Sequence, residues 1–97
     1  MFQKQVLDLV KRVPLGKITT YKIIAEKLGT KSYRAVGNSL NKNKTPIIIP
    51  CHRVVNSDGS LGGYSGGIKK KVMLLKKEGI KVRNNKIVDF DKKLHRF

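Results

Sequence analysis

The sequence predicts a mainly α fold, a winged-helix-like helix-turn-helix with a short extended segment set between its helices. Three observations point there. Apolar side chains recur at helical spacing in three stretches before Asn43 and again after Gly67. The second and third stretches are joined by a short link containing Gly29, as in two helices meeting at a sharp turn. Between the third and the last, Pro46, Pro50 and a run of glycines exclude helix.

The first helix runs from Phe2 to Val13, where Phe2, Val6, Leu9, Val10 and Val13 share one face, and Pro14 and Gly16 end it. The pair Thr19-Thr20 supplies an N-cap for a second helix over Tyr21 to Leu28, closed by Gly29. Ser32 caps a third over Tyr33 to Lys42. Ile24 and Leu28 on one helix and Val36 and Leu40 on the other provide the contact, leaving Arg34, Asn38, Asn41 and Lys42 on the exposed face. Gly37 is out of place, because a mid-helix glycine costs about 1 kcal/mol relative to alanine. Close approach by another backbone or by a nucleic acid would explain it.

From Asn43 the chain is not helical. Pro46 and Pro50 bracket Ile47-Ile48-Ile49, which reads as a short buried extended segment, and Val54-Val55 resumes the apolar character. Asn56 to Gly59 is a turn, and Gly62 to Gly67 a glycine-rich loop. A last helix spans about Ile68 to Glu78, with Ile68, Val72 and Leu75 inward and Lys69, Lys70, Lys71, Lys76 and Lys77 mostly outward, and Gly79 stops it. Two short β-like stretches follow, around Val82 and at Ile87 to Phe90, before a basic end at Lys92, Lys93, His95 and Arg96.

At 97 residues the chain has room for one domain and one core, and it buries only about 60–65 % of its unfolded surface. Lys and Arg number 22 against 6 Asp and Glu, a net charge of +16. Self-repulsion on that scale calls for a highly charged anionic partner, and nucleic acid fits better than a membrane surface. No apolar run approaches the roughly 20 residues of a membrane span, and the N-terminus lacks a signal peptide's apolar stretch. A single cysteine cannot form an internal disulfide. The expectation is an intracellular, monomeric, polyanion-binding domain without a membrane partner.

That cysteine lies in Pro50-Cys51-His52-Arg53. A lone cysteine is commonly a small buried hydrophobe. Here it stands where a proline-held segment ends, beside two cations that favour thiolate. Nucleophile and inert core thiol both remain open on these residues alone. If the segment stays extended, His52 faces away from Cys51; either the chain turns, or a water relays a proton between them. One Cys and two His are too few for a structural zinc site, so no metal or cofactor is expected. Glu78 ends a helix, where the dipole disfavours an acid, and a partner such as His52 would compensate.

The ordered series Gly16, Thr20-Tyr21, Ile24-Ala25, Arg34-Ala35-Val36-Gly37, Asn43, Pro46, Ile49-Pro50-Cys51-His52-Arg53-Val54-Val55, Gly62-Gly63-Tyr64-Ser65-Gly66-Gly67, Leu74-Leu75 and Glu78 resembles the DNA-binding and active-site domain of the O6-alkylguanine-DNA alkyltransferases. The resemblance implies a single-turnover repair protein that moves the alkyl group irreversibly from the guanine O6 atom to Cys51, with double-stranded DNA containing O6-alkylguanine as partner. On that reading His52 acts through a water as the base, and Glu78 orients and polarises His52. The target base must leave the stack, at a cost of a few kcal/mol. Arg34 would fill the vacated space and Tyr21 push on the adjoining phosphate, with Thr20, Asn38 and Asn41 completing the DNA contacts. Asn43 would hold the turn after the third helix. Pro46, Tyr64 and Ser65 would line the pocket, Ser65 bonding O6, while the carbonyls of Cys51 and Val54 accept from the guanine amino group.

The resemblance covers residues 2–79, which leaves 80–97 as a basic tail, and the family's usual N-terminal domain is absent. Lys44 stands where a proline commonly follows the asparagine, and Tyr33 where the residue before Arg34 is usually small. The small size also resembles the alkyltransferase-like proteins, which bind alkylated DNA without repairing it and lack the acceptor cysteine.

Overall fold

A computed structural model describes residues 2–42, 50–64 and 67–97. The expectations for Asn43, Pro46, Ser65 and the Ile47-Ile48-Ile49 run lie outside the described residues. Helix α1 spans Phe2–Lys11, followed by β1 (Thr19–Thr20), α2 (Tyr21–Lys27) and α3 (Tyr33–Asn41). A 3-10 turn at Cys51–Arg53 leads into β2 (Val54–Val55), then α4 (Ile68–Lys77), β3 (Val82–Arg83), β4 (Lys86–Ile87) and α5 (Phe90–Lys93).

The helix ends follow local chemistry. The Thr20 hydroxyl accepts from the Ile23 amide at 3.0 Å, and that of Ser32 from Ala35 at 3.2 Å. Both α2 and α4 close with paired return bonds around a left-handed glycine: Thr30 N–H to Ala25 and Gly29 N–H to Glu26 in one, Ile80 N–H to Leu75 and Gly79 N–H to Lys76 in the other. The second of these fixes Glu78 at the end of α4.

Strand β1 pairs in parallel with β2, Thr19 opposite Val54 and Thr20 opposite Val55. This short pair divides the buried apolar residues into two clusters, where the length of the chain suggested a single core. Successive strand residues point to opposite faces, so Val54 joins Val6, Leu9, Val10, Ile24, Val36, Leu40 and Cys51 in one cluster. Val55 joins Ile18, Leu61, Leu75, Ile80 and Ile87 in the other.

Two further expectations need correction. Residues 80–97 are not a loose tail: Ile18 bonds to Lys93 and His95 backbone atoms, Leu61 to Asn85 and Ile87 to Gly59, while Ile87, Phe90 and Leu94 pack on the second cluster. That cluster lacks enough apolar surface from the preceding chain to close itself. On α4 the face is rotated from the one expected. Ile68 is exposed and Lys71 is fully buried, because Lys71, Leu75 and Glu78 share the face turned to β2 and the 61–63 loop.

Candidate active site

Cys51 opens the 3-10 turn, which is closed by Arg53 N–H on the Pro50 carbonyl at 2.9 Å. Of the two conformations left open by the sequence, the chain takes the turn, so Cys51 and His52 are not forced to opposite faces. Cys51 is 7 % exposed. Beside it lies a hollow of about 10 Å³, lined by Tyr21, Leu40, Asn41, Gly63 and Tyr64. Tyr21, Asn41 and Gly63 are shared with a surface cavity of about 550 Å³ that also takes in Tyr33, Arg34 and Gly37. The thiol therefore lies at the narrow end of a funnel that opens on α3.

His52 is 1 % exposed. Its Nε2 is 2.8 Å from Glu78 Oε2. A carboxylate only accepts, so Nε2 carries the proton and the Nδ1 lone pair is left bare. Nδ1 has no hydrogen-bond partner among the described residues. Burial pushes the imidazole below its ordinary pKa, and the Arg53 and Lys71 charges add to that against the opposing pull of Glu78. The ring is thus a neutral base, edge-on to Tyr64 at a centroid distance of 6.5 Å.

Arg53 grips Glu78 as a fork, Nε on Oε1 and Nη2 on Oε2, both at 2.8 Å. Its Nη1 donates to the Val13 carbonyl at 2.8 Å, which ties the chain after α1 to the same carboxylate. Burial raises the Glu78 pKa, but hydrogen bonds and charge from Arg53 and His52 outweigh it and hold the carboxyl below the usual range. Sequence reasoning cast Arg53 as a cation acting on the thiol; its guanidinium is committed to Glu78.

Lys71 is the second residue that sequence reasoning missed. Its ammonium donates to the carbonyls of Val54, Leu61 and Gly63 at 2.8, 2.6 and 3.0 Å, joining the strand after Cys51 to the loop before Tyr64. Burial lowers its pKa to about 8, against a smaller upward pull from the charge of Cys51. The available signal was spacing: Lys71 lies one helical turn before Leu75 and two before Glu78, on a face already read as inward. The Val54 carbonyl, expected to meet a guanine amino group, already accepts from this ammonium.

The other expected residues divide. Tyr21 and Tyr64 flank Cys51, and both phenols are pushed up, first by burial and then by the charge of Cys51. A Cβ on Gly62, whose φ is +70°, would meet the tip of the Tyr21 ring at 3.4 Å, so glycine there is what lets Tyr21 lie against the loop. Arg34 and Asn41 line the outer cavity, and Asn38 is exposed on α3. Thr20 is a correction: its side chain is 2 % exposed and its hydroxyl caps α2, so it does not reach DNA.

The model of a family described as the DNA-binding domain of 6-O-methylguanine DNA methyltransferase matches residues 1–80. A methylated-DNA–protein-cysteine methyltransferase of Methanocaldococcus vulcanius is 56 % identical over 82 residues, 84 % of this chain and 50 % of its own length. The chain spans about half the length of the curated relatives it matches. Among solved structures, Mycobacterium tuberculosis OGT in complex with DNA is similar with a TM-score of 0.77 at 41 % identity, over 79 % of this chain and 48 % of that one. S. pombe Atl1 in complex with damaged DNA containing O6-carboxymethylguanine is similar with a TM-score of 0.82 at 27 % identity, over 99 % of this chain and 95 % of that one.

Proposed function

The chain belongs to the 6-O-methylguanine DNA methyltransferase family through its DNA-binding domain, and from that premise we propose that it repairs O6-alkylguanine in duplex DNA by direct transfer of the alkyl group to Cys51. The observation that carries this reading is the Cys51-His52-Glu78 arrangement, with a bare Nδ1 lone pair on a ring whose other nitrogen is held by a carboxylate. Nδ1 takes the thiol proton through a water. The sulfur attacks the alkyl carbon, the carbon–O6 bond breaks with its electron pair passing to the purine, and the proton returns to the base. The product is a thioether on Cys51 and an intact guanine, so each molecule acts once.

Residues 1–97 act as one unit in this reading. Helices α2 and α3 form the helix-turn-helix, with α3 against the duplex and the β3–β4 hairpin in the place of a wing. Arg34 enters the stack while Tyr21 presses on the neighbouring phosphate. The everted base enters through the outer cavity, and Tyr21 and Tyr64 part to widen the hollow at Cys51. Asn43 holds the turn beyond α3, and Pro46 and Ser65 contribute to the pocket, Ser65 toward O6.

The experiment is incubation with a duplex containing one O6-methylguanine, followed by peptide mass analysis. One added methyl on Cys51, and none in Cys51→Ser, is the expected result; unmodified protein with the lesion intact would overturn the proposal. The end-to-end match to Atl1 favours a second reading, a sensor of alkylated DNA without transfer. It predicts lesion binding that survives Cys51→Ser and a methyl that never leaves the base.

A further inference from the structure

Tyr33 and Gly37 have no assignment in the transfer chemistry, yet neither is explained by the protein's own packing. Tyr33 is 45 % exposed, one of four large apolar side chains left in solvent with Leu15, Ile68 and Met73. Of the four, Tyr33 alone lines the cavity beside Arg34. It opens α3, where the Ser32 cap holds the first turn. Gly37 follows four residues later, hence on the same face as Tyr33. Its backbone is ordinary helix, and a Cβ built on it would meet nothing within 4 Å. Glycine weakens the helix there, and no neighbour in the chain requires it. The space is kept for something outside the chain.

We propose that Tyr33 and Gly37 form a slot on α3 in which a nucleobase of the bound duplex, next to the lesion, stacks on the Tyr33 ring. The proposal rests on the DNA-binding reading of α3 given above. Every base presents a flat π-face, so such a contact adds affinity without demanding a sequence, and Arg34 beside it supplies the charge the phosphates need. Gly37 forms the floor: a methyl group there fills the space into which the base and its sugar descend.

The test is fluorescence anisotropy on duplexes with and without O6-methylguanine, at one salt concentration. Stacking losses measured by alanine substitution correspond to about five- to hundredfold in affinity. Tyr33→Ala is expected to weaken binding about tenfold, Tyr33→Leu nearly as much because it keeps bulk but not the π-face, and Tyr33→Phe to restore it. Gly37→Ala is expected to raise the thermal midpoint of the free protein while weakening binding at least about fivefold. Replacing the stacked base by an abasic residue should cost the unaltered protein about tenfold and Tyr33→Ala less than about twofold. Equal affinity for Tyr33→Leu and the unaltered protein, or Gly37→Ala that stabilises without weakening binding, would overturn the slot. Because the losses are read on undamaged duplex too, they stand apart from transfer: a protein that binds through Tyr33 but never methylates Cys51 sinks only the repair reading.

Discussion

Glu78 is held at the end of α4, where the helix carbonyls disfavour an acid, because His52 and Arg53 supply its carboxylate with three N–H bonds. Replacing it by Gln keeps the volume but leaves Arg53 without a counter-charge and frees His52 to adopt either tautomer. Glu78→Gln is expected to lose about 3 kcal/mol of stability by urea denaturation and to slow transfer far more than it weakens DNA binding. Titration separates His52 and Lys71. His52 has a folded-state pKa below 6.5, so its contribution is complete above that value and is lost as the pH falls. Glu78 behaves the same way below 4.5. Lys71 releases its proton near pH 8 in the folded chain but at 10.5 when unfolded, so stability rises across that interval. Denaturation midpoints measured against pH should therefore lose the step below pH 6.5 in His52→Asn and the alkaline rise in Lys71→Met.

At the scale of elements, helix ends rather than helix middles position the site. Thr20 caps α2 and thereby sets Tyr21, the first residue of that helix, against the 62–64 loop. Thr20→Ala is expected to cost about 1 kcal/mol, up to about 2. The salt dependence of DNA binding should stay unchanged, since the hydroxyl is turned inward; a shallower salt slope would mean that Thr20 touches phosphate after all. The helices themselves were legible in the sequence. Val6, Leu9 and Val10 on α1, and Val36 and Leu40 on α3, are buried as their spacing requires. The face of α4 was not. Lys71 looks like one more solvated cation among Lys69, Lys70, Lys76 and Lys77, and only the carbonyls brought to it by β2 and the loop make an inward ammonium acceptable.

Over the whole molecule, the C-terminal residues complete the second apolar cluster. Val82, Ile87, Phe90 and Leu94 cover Ile18, Val55, Leu61, Leu75 and Ile80, and each large side chain so buried stabilises by about 1.5–3 kcal/mol. A chain ending at Ile80 keeps every residue of the matched family domain, yet it is expected to lose cooperative thermal unfolding and to bind hydrophobic dye. A sharp transition at the original midpoint would show the C-terminal residues to be dispensable. The charge distribution agrees with a nucleic-acid partner: among the described residues both ion pairs fall on Glu78, so nearly all of the 22 cations face solvent uncompensated. No helix among the described residues is long and apolar enough to cross a membrane.

The sequence by itself determined what depends on neighbours a few residues apart. The periodicity of α1 to α3, the glycines after α2 and α4, and the candidate set of Cys51, His52 and Glu78 were all readable. Tertiary structure alone decided that Arg53 belongs to Glu78 rather than to the thiol, that Lys71 turns inward, and that residues 80–97 close a cluster. The reason is physical. Helical faces and caps are set by contacts three or four residues apart, whereas the Arg53–Glu78 pair joins positions 25 apart, and a buried ammonium is tolerable only once folding has gathered its three carbonyls.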